Sequence, residues 1–477
     1  MAVIGLDLGT TSCKAIAYSR DGRMLAQAGR KNALYRRGEE CEIDAREVWE
    51  SVRGALCQCA RDAGEPIEGI GVSSFGESFV ALDAQDEVIA RSMLYTDPRG
   101  SDETGVMEDY TRVTRLKPHS TFTLPKLLWF KAHRPTEFEA ARRFLLFEDF
   151  IIYRLTGEAC ISYSMAARTG MLDIETKRYH PPLLEAAGID EGKLSRPVAP
   201  GTVCGRVRGI DGLAGAIVVA GGQDQVCAAI GAGLTREGDA LCGLGTVECA
   251  TPVFEGMRID EEMVRQGFCC LPYVGEDRYV TFAYHYTGGS SIEWFMNRLA
   301  DNGVESPYAH YEREAAKARN DLLVLPHFSG AATPYMDNDA RAAIVGMDLN
   351  TTRTDIYRAL LEGCGYELRI NLERLAEKGI PVNRLVACGG GAASALWLQM
   401  QADIFRVPIW TLQNPEAGTM GGALLSAVAL GWFDGLAQAA RAWIAYGRCY
   451  TPNAAMDEYY EGKYARYRRL YGALKQV

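Results

Sequence analysis

Twice in this chain a run of apolar, strand-forming residues halts at a Gly-Thr turn and a second run resumes at once. Residues 3–8 lead into Gly9-Thr10-Thr11-Ser12 and on into 14–18, while residues 241–244 lead into Gly245-Thr246 and on into 247–252. Such a turn needs a strand on either side, so two distant copies predict two similar domains facing each other. Asp21-Gly22, between the alternating runs 14–18 and 23–28, adds a hairpin to the first copy. The 477 residues suffice for two or three domains. The return of the opening theme places the division near residue 237, giving domains 1–237 and 238–477.

Helical patterns lie between the strands. Residues 45–63 read as a helix and 70–74 as a short buried strand. A second hairpin is expected from 79–82 through Asp83–Asp86 into 88–90. Residues 124–160 read as largely helical, with Trp129, Phe130, Phe144, Leu145, Phe147 and Ile151 in the core. Another strand, over 214–220, ends at Gly221-Gly222-Gln223-Asp224. In the second half Ile356, Leu360, Cys364, Leu368, Leu372 and Leu375 recur at helical spacing over 354–378, and Gly379 and Pro381 stop the helix. Strand 384–388 enters Gly389-Gly390-Gly391, helix 396–405 follows, and 418–430 is a further helix. Strands alternating with helices make the fold class α/β.

Charge and composition remove several function classes. With 51 Lys+Arg against 61 Asp+Glu, the net charge of −10 does not favour nucleic acid or an anionic membrane as partner. No apolar run approaches the roughly 20 residues that cross a bilayer. The 14 cysteines include no Cys-x-x-Cys and the six histidines no His-Glu-x-x-His, so reduced core thiols are expected rather than disulfides or zinc. The chain opens directly on strand-like residues, which makes the cytoplasm the expected compartment. It also lacks the P-loop, the Rossmann Gly-x-Gly-x-x-Gly and the hydrolase Gly-x-Ser-x-Gly patterns.

Four constellations can carry chemistry. In Asp7-Leu8-Gly9-Thr10-Thr11-Ser12-Cys13-Lys14 a strand-end carboxylate precedes amides and hydroxyls that can donate to phosphate, and Asp7 can hold a hydrated Mg²⁺. The plainer reading is a turn with Asp7 accepting local N–H bonds. Gly243-Leu244-Gly245-Thr246 repeats the theme and could close on a γ-phosphate, or be a simple hairpin turn. Gly389-Gly390-Gly391 offers a bare surface for a purine or ribose; two of its glycines already satisfy a tight strand-to-helix turn. Asp224, after two glycines, could take a proton from a substrate hydroxyl, or cap the helix that follows. Ser74-Phe75-Gly76-Glu77-Ser78 and Tyr95-Thr96-Asp97-Pro98-Arg99 add acids and a base at loops, where solvated turns are the plainer reading.

In this order, from Asp7-Leu8-Gly9-Thr10-Thr11 to Gly418-Thr419-Met420-Gly421-Gly422-Ala423, the chain resembles the FGGY family of carbohydrate kinases. The most specific segments are Ala220–Asp224, Thr333-Pro334-Tyr335 through Gly346-Met347, and Gly389-Gly390-Gly391-Ala392 with Ser394, Trp397, Gln399 and Asp403. The last of these is closest to xylulokinase-like members. The resemblance implies two ribonuclease-H-like domains of the actin and hexokinase type with an interdomain cleft, and ATP and Mg²⁺ as cofactors. It implies Asp224 as catalytic base, with Asp7 and Asp224 at the metal. Thr10, Thr11, Lys14, Gly245 and Thr246 would meet phosphates, and Gly289, Gly390 and Gly391 the nucleotide. Gly76, Glu77, Asp97, Asp224 and Gln225 would line the acceptor. A homodimer is the assembly the resemblance allows, and no residue read here marks an interface.

The acceptor segment departs from the best-known patterns. Ser74-Phe75-Gly76-Glu77 stands where xylulokinases show Gln-Met-His-Gly and glycerol kinases an Arg-Glu pair. Glu77 can accept from two adjacent hydroxyls, whereas it would repel a carboxylate such as gluconate unless Arg99 compensates. The expected activity is transfer of the ATP γ-phosphoryl to a terminal hydroxyl of a small sugar, a ketopentose such as xylulose or ribulose. The alternatives are a kinase of a polyol (glycerol, erythritol) or gluconate, an actin- or Hsp70-like ATPase, and a sugar-binding regulator without catalysis.

Overall fold

A computed structural model describes residues 1–105, 109–301 and 303–475, and it contains two principal sheets with the same wiring. In the first, strands Ala2–Leu8, Ser12–Ser19 and Met24–Lys31 form an antiparallel meander. Ile67–Ser74 then pairs in parallel with the opening strand, Ile217–Gln223 pairs in parallel with that, and Val203–Arg206 closes the edge. The second sheet repeats the scheme. Asp239–Leu244, Glu248–Glu255 and Arg278–Val280 form the meander, and Arg384–Cys388 and Ile409–Leu412 follow in parallel. Tyr446–Tyr450 adds an antiparallel edge.

Helix Ala45–Ala63 begins where Asp44 accepts from the Arg46 amide at 2.9 Å and ends at Gly64, whose φ is 66°. Its Val48, Val52, Ala55, Leu56 and Cys59 fall on one face and are buried against the first sheet. The equivalent helix in the second half is Arg353–Glu377, opened by a reciprocal Thr352–Asp355 capping box.

The second half contributes a helix to the first, where it packs on the helix that follows the first half's fifth strand. After its fifth strand the first half continues as helix Asp224–Gly231, and the second half as Ala417–Ala429. The latter lies on the first sheet, where Met420, Ala423, Leu424 and Ala427 join Val3, Ile16 and Tyr18 in one apolar cluster with Ala439 and Trp443. Glycines make the contact a backbone-to-backbone one. A Cβ on Gly71 would stand 2.0 Å from the Gly422 carbonyl, and one on Gly421 2.0 Å from the Cys227 carbonyl.

Two sequence expectations are refined by the structure. Residues 124–160 are largely helical, as helices Thr123–His133, Pro135–Ala140 and Phe147–Thr156, but strand Arg143–Leu146 interrupts the run. This strand is the antiparallel partner of Phe79–Leu82. The hairpin expected from 79–82 into 88–90 is present in short form: the Asp83 amide donates to the Glu87 carbonyl at 3.0 Å, Leu82 bridges Val88, and the Ile89 amide donates to the Ala81 carbonyl at 3.0 Å. All 14 cysteines are free, and ten are buried. Among the described residues no helix is long and apolar enough to cross a membrane.

Candidate active site

In open α/β sheets ligands bind beyond the carboxyl ends of the parallel strands, and here those ends carry the polar groups. The register sets Asp7 beside Ser73 and Gln223 beside Ser74. The Ser73 hydroxyl donates to Asp7 Oδ1 at 3.0 Å. Asp224 opens the helix after the fifth strand, and its Oδ1 accepts from the Gln225 amide at 2.6 Å and from the Gln223 side chain. Both carboxylates keep an edge open to solvent, so they form the floor of an accessible site.

Electrostatics mark this floor as unusual. Burial pushes the Asp224 carboxyl up to about 7, with the negative charges of Asp7 and Glu77 acting in the same direction. Burial likewise raises Asp7 to about 6, against the opposing Ser73 hydrogen bond and Lys14 charge. Two carboxylates that disfavour each other's ionisation are what a hard cation relieves. Mg²⁺ commonly binds through one or two carboxylates with water and substrate phosphates completing its shell, so this donor set fits it.

Gly76 and Glu77 lie beside the floor. Glu77 has a φ of 69°, a left-handed conformation rare outside glycine and frequent at functional sites. Its carboxylate is paired with Arg168, whose guanidinium sits over Phe122 at 4.9 Å and Phe282 at 6.0 Å. A Cβ on Gly76 would come within 3.3 Å of Arg168 Cγ, so the glycine leaves room for that arginine. Arg99, the cation expected to balance Glu77, is engaged elsewhere: it binds both oxygens of Asp97 at 2.8 and 2.7 Å and Glu42 at 2.8 Å. Asp97 is fully buried and also accepts from the Cys41 amide at 2.8 Å. Although burial alone would raise it, the Arg99 bonds hold its carboxyl below the usual range.

The first Gly-Thr turn is braced by Asn32, whose side chain donates to the Gly9 carbonyl at 3.1 Å and whose amide donates to Thr11 at 2.8 Å. Thr11 faces solvent and Thr10 is half-buried. Lys14 reaches from the following strand to Glu416, at 2.7 and 2.8 Å, just before the helix contributed by the second half. The second turn, Gly245-Thr246, is exposed. The Gly289 amide donates to the Gly245 carbonyl at 2.8 Å, and the Ser290 hydroxyl to that of Thr246 at 3.1 Å. In the triple glycine, Cβ atoms on Gly389 and Gly391 would each come within 2.8 Å of Leu244, whereas one on Gly390 would meet nothing within 4 Å. Packing accounts for the outer two, and the middle one faces open space. Gln225 reaches toward the second half, its Oε1 lying 3.9 Å from where a Gly243 Cβ would stand.

Sequence reasoning missed the buried network behind these turns. Glu248, on the strand leaving Gly245-Thr246, accepts from His285 at 2.9 Å and from the Gln401 side chain. His285 precedes the Gly288-Gly289 step, and Gln401 lies on the helix after the triple glycine. One sealed carboxylate thus ties together all three glycine elements of the second half. Cys364 Sγ lies within 4.8 Å of the same group, while both Glu248 oxygens already accept hydrogen bonds. An acidic residue opening a mostly apolar strand was the available signal for Glu248. Arg168, in Tyr163–Arg168, gave none.

Profiles of the FGGY family of carbohydrate kinases match residues 2–231 for the N-terminal domain and 242–430 for the C-terminal domain. A xylulose kinase of Bacillus subtilis (strain 168) is 29% identical, covering 100% of this chain and 97% of its own length. A glycerol kinase of Agathobacter rectalis is also 29% identical, covering 95% of each chain. The crystal structure of xylulose kinase from Rhodospirillum rubrum superimposes with a TM-score of 0.92 at 27% identity, over 100% of this chain and 99% of that one. The architecture is thus the two-domain actin and hexokinase type.

Proposed function

The chain belongs to the FGGY family of carbohydrate kinases, phosphotransferases that use ATP, and on that premise we propose that it phosphorylates a terminal hydroxyl of a ketopentose such as xylulose or ribulose. Residues 1–237 hold the sugar and the base, and 238–477 the nucleotide. This division is supported by the family segments ending at 231 and beginning at 242. The cytoplasm is the proposed compartment.

Asp224 takes the hydroxyl proton as the sugar oxygen attacks the γ-phosphorus in line, and the β–γ bridging oxygen departs with ADP. The single observation carrying this assignment is its carboxyl, pushed up to about 7 on a floor it shares with Asp7 and Glu77. That value suits a base working near neutral pH. Asp7 and Asp224 would hold Mg²⁺, which when bound neutralises phosphate charge. The Gly9–Ser12 and Gly245-Thr246 turns donate to the phosphates from the two halves, with Lys14 nearby. Gly289, Gly390 and Gly391 form the bare surface against the nucleotide.

On the acceptor side Glu77 and Arg168 offer an acceptor and donors to neighbouring hydroxyls, with Gly76 leaving space and Gln225 flanking the base. Asp97 acts from behind by fixing Arg99. A neutral acceptor is favoured over gluconate because Arg168 is already balanced by Glu77, which leaves Asp7 and Asp224 to set the charge of the floor. A polyol acceptor is the second reading, favoured by Glu77, by Asp224-Gln225 and by the glycerol kinase relative. The test of the base is Asp224→Ala. Sugar-dependent ADP release should fall by about 10²–10⁴-fold while ATP binding persists, and near-native turnover would refute the assignment.

A further inference from the structure

A cavity of about 400 Å³ lies at the opposite end of the second sheet from the phosphate turns. Asp239 and Arg384, both in its lining, are the paired first residues of two parallel strands whose far ends are Leu244 and Cys388. Six residue steps along the strand place the cavity roughly 20 Å from Gly245. It is therefore separate from the catalytic floor.

Its polar lining is unbalanced. Arg236, Arg384 and Arg441 face it with Asp239 as the one carboxylate, on a chain whose net charge is −10. Arg384 donates to Asp239 Oδ1 at 3.0 Å and lies over the Tyr446 ring at 5.1 Å. Arg236 and Arg441 are exposed and, among the described residues, form no ion pair and no side-chain hydrogen bond. Asp239 itself is 8% exposed, and its other oxygen is buried without a donor. A buried acceptor in that state is destabilising until a donor reaches it. The cavity thus presents two unpaired guanidiniums, one unanswered acceptor and the Tyr446 ring.

We propose that this cavity is a binding site for a small phosphate ester bearing hydroxyl groups. Paired guanidiniums match phosphate oxygens in a bidentate manner. Asp239 Oδ2 takes a ligand hydroxyl, and the aromatic ring covers the carbon skeleton. The surroundings are built rather than loose: Tyr446 donates to the Ala232 carbonyl at 3.0 Å, and Arg278 to that of Thr235 at 3.0 Å. Position gives the site a consequence. Arg236 sits on the connector between the helix begun by Asp224 and the strand ending at Gly245, while Arg441 lies on helix Leu436–Trp443, anchored on Val3, Ile16 and Tyr18. A bound phosphate joins the connector to an element fixed on the first half.

The test is titration calorimetry of the full chain, with the nucleotide site saturated by MgADP, against ribose 5-phosphate, inorganic phosphate and ribose. Ribose 5-phosphate should bind with an affinity that falls as salt rises, inorganic phosphate more weakly, and ribose without that salt dependence. Arg236→Gln with Arg441→Gln should weaken ribose 5-phosphate at least tenfold while leaving kcat and KM for ATP unchanged in its absence. Asp239→Asn should narrow the difference between ribose 5-phosphate and inorganic phosphate. Binding by the double variant as tight as by the parent would overturn the proposal, as would no binding of either phosphate by the parent. Should the double variant melt lower than the parent, the single Arg441→Glu on the exposed helix face replaces it, with the same tenfold criterion.

Discussion

A carboxylate that receives a proton near neutral pH has to be lifted well above its ordinary range, and burial does this to Asp224, with Asp7 and Glu77 adding to it. The direction fixes the pH dependence. The proton-accepting form is lost as pH falls, so kcat/KM should decline on an acid limb whose midpoint lies at or below about 7, because a bound cation lowers it. A pH–rate profile flat from pH 5 to pH 8 would remove Asp224 from the role of base. The same shift carries a stability cost: a carboxyl raised in the folded state destabilises that state as pH climbs from its unfolded value toward 7. Asp224→Asn should therefore melt higher than the parent at pH 8 by a few degrees, and by less at pH 5, even as activity disappears. Glu248 acts through its hydrogen bonds instead. Glu248→Ala would leave the buried His285 and Gln401 side chains without their acceptor, at a cost of about 1–3 kcal/mol, and should raise KM for ATP more than it lowers kcat. The two Gly-Thr turns were legible because glycine and threonine sit where strand patterns break. The partners of Glu248 were not, since His285 and Gln401 meet it through sheet pairing and helix packing across 37 and 153 residues. Arg168 reaches Glu77 over 91 residues for the same reason.

At the level of elements, the contact between helices Asp224–Gly231 and Ala417–Ala429 depends on missing side chains. Gly421 lies so close to the Cys227 carbonyl that any Cβ must push the two helices apart. Gly421→Val should lower the melting temperature by several degrees and reduce activity through the displaced Asp224 helix, and an unchanged melt would contradict the close approach. Helix Arg353–Glu377 is legible within a residue of its bounds, because its apolar spacing and its stop at Gly379 and Pro381 agree. Strand Arg143–Leu146 was not readable. Four residues between helix formers carry no period of their own, and their extended form is imposed by pairing with Phe79–Leu82. The placement of helix Ala417–Ala429 on the first sheet was equally hidden, since an apolar helix does not state which sheet it covers.

For the whole molecule, the duplicated strand–turn–strand opening becomes two sheets of one wiring, with carboxylates at the ends of the first and bare glycine turns at the ends of the second. This division suits a transfer between two ligands held by separate halves, in which closure excludes water as a competing acceptor. It distinguishes a kinase from an ATPase built on the same fold, because a kinase needs the acceptor to complete its site. The most direct test is ADP release from Mg-ATP measured with no sugar and with xylulose, ribulose, glycerol, erythritol and gluconate in turn. A ketopentose is expected to stimulate release by orders of magnitude over the sugar-free rate. Equal release with and without every acceptor would contradict the account.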